Sequence, residues 1–90
     1  MHDVISELSN RSREIFRGVV ETFFETGEPV GSKTLSKTLR LDLSSATIRN
    51  VMGDLEEYGL LYAPHKSAGR LPTDRGMRLF VDGLLQIGEL

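Results

Sequence analysis

Residues 31–59 run Gly31-Ser32-Lys33-Thr34-Leu35-Ser36-Lys37-Thr38-Leu39, Arg40-Leu41-Asp42-Leu43, then Ser44-Ser45-Ala46-Thr47-Ile48-Arg49-Asn50-Val51-Met52-Gly53-Asp54-Leu55-Glu56-Glu57-Tyr58-Gly59. Two short helices are expected here. The first spans Ser32 to about Leu39, capped at Gly31 or Ser32, with Leu35 and Leu39 facing inward. After the brief connection 40–43, the Ser44 hydroxyl can accept a free amide of the next helix start. Ile48, Val51, Met52 and Leu55 recur at i, i+3, i+4, i+7 through about Tyr58, and Gly59 is the C-terminal stop. Two short helices joined by a few residues form a helix-turn-helix.

Outward from this pair, the pattern completes one domain. Upstream, Ser9 or Asn10 can cap a helix on which Ile15, Phe16, Val19, Val20, Phe23 and Phe24 form a core-facing stripe. Gly27 suits a left-handed terminus, and Pro29 prevents the helix from resuming. Downstream, Leu60-Leu61-Tyr62-Ala63 reads as a strand, residues 65–69 as a polar loop, and Arg70-Leu71 as a return strand limited by Pro72. Thr73 can cap a last helix carrying Met77, Phe80, Val81, Leu84 and Leu85. The order is that of a winged helix-turn-helix, mainly α with a small β-hairpin. It occupies 9–90, with 1–8 as a loose lead-in.

Ninety residues suffice for one small core. With 39% hydrophobic and 27% charged residues, the composition is globular. No apolar run approaches the ~20 residues of a membrane span. The Met1-His2-Asp3-Val4 start carries acid where a signal peptide carries base, so a cytoplasmic chain is expected. The chain has no cysteine and only His2 and His65 as histidines, and Glu56 and Glu57 lack a basic or metal-ligand partner at suitable spacing. No enzyme, metal site or cofactor is therefore expected.

The net charge of −2 conceals an uneven distribution. Residues 30–53 carry Lys33, Lys37, Arg40 and Arg49 against Asp42 alone. Residues 64–78 carry Lys66, Arg70, Arg75 and Arg78 against Asp74. Each stretch is +3, leaving −8 elsewhere, and folding can gather the two basic stretches on one face.

At ~100° per residue, the helix after Ser44 places Ala46, Asn50, Gly53 and Glu57 opposite its apolar stripe, flanked by Thr47 and Arg49. Its first turns are small or hydrogen-bonding, and it becomes acidic only at its end. That is the layout of a recognition helix whose N-terminal half enters the major groove. Asn50 can read adenine, Arg49 a guanine or a phosphate. Ala46 and Gly53 allow close approach, with helix packing an equal alternative for Gly53. Gly31-Ser32-Lys33 offers amides, a hydroxyl and a cation to a phosphate, with Lys37 and Arg40 alongside. The loop His65-Lys66-Ser67-Ala68-Gly69-Arg70 is slender and basic, so Lys66 or Arg70 can meet a minor groove or its phosphates.

Three of these stretches resemble the N-terminal domain of the bacterial heat-inducible transcription repressor HrcA family. They are 25–35 (Glu25-Thr26-Gly27-Glu28-Pro29-Val30-Gly31-Ser32-Lys33-Thr34-Leu35), 43–50 (Leu43 through Asn50) and 64–76 (Pro64-His65-Lys66-Ser67-Ala68-Gly69-Arg70-Leu71-Pro72-Thr73-Asp74-Arg75-Gly76). The resemblance runs from about Leu8 to Asp82. Ser45 departs from it, standing where many relatives carry proline, and so does Val51, where an acidic residue is frequent. The resemblance implies a dimeric repressor of chaperone and chaperonin operons that binds an inverted-repeat operator in double-stranded DNA and depends on the chaperonin for its active form. It also implies that dimerisation and regulation belong to a C-terminal part beyond Leu90, so the chain is expected to be the isolated DNA-binding domain or a fragment.

The DNA-contacting set expected from residues and resemblance together is Ser32, Lys33, Thr34, Lys37, Ser45, Ala46, Thr47, Arg49, Asn50, Lys66, Ser67 and Arg70. Two alternatives stay open. One is a winged helix that binds a partner protein, favoured by the acidic total and the apolar last helix. The other is the DNA-binding domain of a metabolite-responsive regulator.

Overall fold

The structure, a computed structural model, describes residues 9–39, 43–66 and 68–86, without the side chains of 84–86. The lead-in 1–8, Arg40, Leu41, Asp42, Ser67 and the side chains of Leu84 and Leu85 lie outside the described residues. In chain order the elements are α1 (Asn10–Thr26), α2 (Ser32–Thr38), α3 (Ser45–Glu57), β1 (Leu61–Tyr62), β2 (Leu71–Pro72) and α4 (Asp74–Gln86). This is the winged helix-turn-helix expected from the sequence.

The helix ends follow their capping chemistry. Ser9 Oγ accepts from the Ser12 amide at 3.1 Å, and Ser44 Oγ accepts from the Thr47 amide at 3.1 Å. Each such cap contributes ~1 kcal/mol by satisfying an amide that has no partner within the helix. Gly27, at φ 71°, closes α1 by donating to Phe23 O at 2.7 Å, and Gly59, at φ 79°, turns the chain from α3 toward β1. Thr73 joins three pieces of backbone. Its hydroxyl donates to Gly59 O at 2.6 Å and accepts from the Gly76 amide at 2.9 Å, while its own amide donates to Leu60 O at 3.0 Å. The start of α4 is thereby held against the strand that follows α3.

The hairpin is antiparallel, with Leu61 opposite Pro72 and Tyr62 opposite Leu71. Arg70, expected within the return strand, instead pairs with Val30 in an isolated antiparallel bridge, with reciprocal backbone bonds of 2.9 Å. The base of the wing is thus sewn to the residues that precede α2.

One core unites these elements. Ile15, Phe16, Val19 and Val20 of α1 meet Leu35 of α2, Ile48, Met52 and Leu55 of α3, Leu60 and Leu61 of the strand, and Phe80 of α4. The rings of Phe16 and Phe80 meet edge to face, with centroids 6.2 Å apart. Two expected core residues lie outside it. Phe24 is 59% and Val81 49% exposed. Each falls at the margin of an apolar stripe broader than the surface it covers, and the Phe24 ring meets Phe80 edge to face at 6.4 Å and its neighbour Phe23 at 6.2 Å.

Candidate nucleic-acid interface

The helix-turn-helix and the wing enclose an open groove of about 470 Å³. Val30, Gly31, Ser32 and Lys33 form one wall, and Arg49 and Met52 of α3 form the second. Lys66, Ala68, Gly69 and Arg70 of the wing form the third. Of the expected set, Ser32, Lys33, Arg49, Lys66 and Arg70 therefore converge on one concavity. Its four cations come from three segments that are distant in sequence. Convergent positive charge in a concave surface concentrates the local field, whatever the net charge of the chain.

The other expected residues lie beyond this groove. Ala46 and Asn50 are exposed on α3 and continue outward from Arg49, while Thr34 and Lys37 are exposed on α2. Ser45 and Thr47 are half-buried. The Thr47 hydroxyl lies 3.0 Å from Ser44 Oγ and belongs to the cap. The outer face of α3 is open at Gly53 as well. A Cβ there would meet nothing within 4 Å among the described residues, which removes helix packing as the reason for glycine. Ser67 and Arg40 lie outside the described residues.

Arg70 sits differently from the free cation that a wing tip suggests. Its Nε donates to Glu56 Oε1 at 2.9 Å, and one Nη lies 3.4 Å from the carbonyl oxygens of Ala68 and Gly69. Contrary to the sequence expectation, Glu56 has a basic partner, which lies fourteen residues away across the fold and so outside local spacing. Helical spacing offers half of that signal, since Arg49, Met52 and Glu56 stand at i, i+3, i+7 on one face of α3. The other half is tertiary. Gly69 ends the polar loop 65–69, and a Cβ there would overlap the carbonyl group of Val30 and lie 2.7 Å from the Gly31 amide. Only a residue without a side chain lets the wing close against the start of α2.

Among the described residues, no group of three or more histidines or acids is placed to hold a metal, and no helix is long and apolar enough to cross a membrane.

No family model matches the chain. It is 64% identical over 85 residues to the heat-inducible transcription repressor HrcA of Sphingopyxis alaskensis. Over 86 residues it is 59% identical to that of Rhodopseudomonas palustris and 57% identical to that of Bradyrhizobium diazoefficiens. These alignments cover 94–96% of this chain but 24% of each relative, so the chain spans about a quarter of the length of the curated relatives it matches. A crystal structure described as that of a hypothetical protein superposes with a TM-score of 0.84 at 40% identity, covering 92% of this chain and 27% of that one.

Proposed function

This chain belongs, through its similarity to their N-terminal domain, to the HrcA family of heat-inducible transcription repressors, and on that premise we propose that it is a sequence-reading DNA-binding domain. The observation that carries the reading is the groove in which Lys33, Arg49, Lys66 and Arg70 converge beside the small, polar outer face of α3. In this mechanism the first turns of α3 enter the major groove, and Asn50 and Arg49 meet base edges there. Lys33 and Lys37 take phosphates along the flank, with Ser32, Thr34, Ser45 and Thr47 as shorter polar contacts. Lys66, Ser67 and Arg70 approach the adjacent backbone from the wing.

The operator is an inverted repeat upstream of chaperone and chaperonin operons, and repression is occupancy of that site. A second copy, joined through family regions beyond this chain, fills the other half-site, and avidity of that kind multiplies affinity by ~10²–10⁴. The chaperonin, by controlling how much repressor is active, makes the output responsive to heat.

The test is a salt titration of binding to the inverted repeat and to a scrambled duplex. Operator preference that persists as overall affinity falls with salt is the expected result. Absence of binding to either duplex at low salt by folded protein overturns the reading. It would favour a protein-binding winged helix, for which the exposed Phe24 and Val81 are the supporting surface.

A further inference from the structure

Arg70 is held from two directions. Its backbone exchanges two 2.9 Å hydrogen bonds with Val30, ahead of α2, and its side chain is bound to Glu56 in the last turn of α3. The Arg70 and Glu56 side chains are 26% and 39% exposed, so the pair is partly shielded rather than fully solvated. Arg70 thereby connects the three walls of the groove, and its one side-chain tie to α3 depends on an acid that no DNA contact calls for. A carboxylate beside a polyanion-binding groove opposes the ligand electrostatically, so its place there implies a different contribution.

We propose that Glu56 is a positioning residue of the DNA interface, one that holds the Arg70 guanidinium and so sets the spacing between the wing and the recognition helix. This role rests on the DNA-binding reading above. With Nε bound to Glu56 and one Nη directed at the carbonyl oxygens of Ala68 and Gly69, Arg70 keeps its other Nη for a phosphate instead of reaching out as a free minor-groove cation. Register between wing and α3 then becomes part of sequence discrimination, because a base contact from α3 forms only when the backbone contacts seat the duplex correctly. Glu56 therefore has opposite effects on two observables: its charge weakens attraction to any DNA, and its bond sharpens the choice among sequences.

The test compares wild type with Glu56→Gln, Arg70→Lys and the double variant, measuring affinity for operator and scrambled duplexes. Amide exchange of Val30 and Arg70 is measured in parallel without DNA. Glu56→Gln is expected to bind the scrambled duplex at least as tightly as wild type while the operator-to-scrambled ratio falls by about fivefold. Arg70→Lys keeps the charge but loses the Nε donor and should lower the ratio similarly, with little further loss in the double variant. The Val30 and Arg70 amides should exchange faster in all three variants.

An unchanged ratio in Glu56→Gln overturns the role, as does equal weakening toward both duplexes, the mark of a folding defect. Unaltered exchange at Val30 and Arg70 overturns it independently of any DNA measurement. Failure of wild type to bind either duplex overturns the DNA-binding reading itself, and is distinguishable from an unchanged ratio in a binding-competent protein.

Discussion

At the scale of single residues, the polar side chains around the groove divide by how much freedom their neighbours leave them. Asn50 and Lys33 are exposed, and neither makes a side-chain hydrogen bond among the described residues. They are the clearest probes of the proposed base reading and phosphate attraction respectively. Asn50→Ala is expected to cost ~1–3 kcal/mol of discrimination between operator and scrambled duplex, read as the ratio of the two dissociation constants. An unchanged ratio would mean that the base-reading surface lies elsewhere. Lys33→Ala should weaken binding to both duplexes alike and reduce the magnitude of the log affinity against log salt slope by ~0.9. Thr47 illustrates the limit of reasoning from residue type. Its hydroxyl has hydrogen-bonding capacity, but the Ser44 cap takes up part of it and leaves the remainder for the proposed DNA contact.

At the scale of elements, the wing is placed by contacts unrelated to its own strand propensity. Two residues per strand is too little pairing to hold a hairpin in position. The Val30–Arg70 bridge adds a third backbone segment, and Gly69 permits the approach. Gly69→Ala should therefore push the wing from the start of α2, with a loss of ~1–3 kcal/mol in stability. Chemical denaturation measures that loss, and accelerated amide exchange at Val30 and Arg70 locates it. A Gly69→Ala protein with wild-type stability and wild-type exchange would show that the backbone approach is looser than described. The same logic places α4, whose first turn is fixed by the Thr73 hydroxyl between Gly59 and Gly76.

For the whole molecule, one small core carries every element that builds the proposed interface. Phe16 is 1% exposed and touches Phe80 edge to face, so it links α1 to α4 at the centre. Phe16→Ala should cost ~3–5 kcal/mol, a large share of the ~5–15 kcal/mol that stabilises a domain. The expected readout is a melting temperature lower by more than ~10 °C. A near-native melting temperature would mean that Phe16 is not central to the core. Because α2, α3 and the wing share this core, such a loss is expected to remove the proposed base reading and phosphate binding together. A substitution at Lys33 or Asn50 separates them.

The sequence by itself determined the order of the elements and the ends of α1 and α3. The strands differ: β1 is shorter than expected, and the return strand is Leu71–Pro72 rather than Arg70-Leu71. Helical apolar spacing identifies α1 and α3, and Ser9, Ser44 and Thr73 act as caps through local hydrogen bonds. Gly27 and Gly59 terminate helices because a left-handed residue is a local requirement. The convergence of Lys33 and Arg49 near the wing follows from recognising a winged helix in that order of elements. Only the tertiary structure decided which edges of apolar stripes remain covered, hence the exposure of Phe24 and Val81. It alone decided that Glu56 meets Arg70 and that Gly69 lies against Val30. Caps and helical periodicity act within about four residues, so they are written in neighbouring letters. The ion pair and the backbone approach join residues fourteen and thirty-nine positions apart, and exist only after the core has brought the segments together.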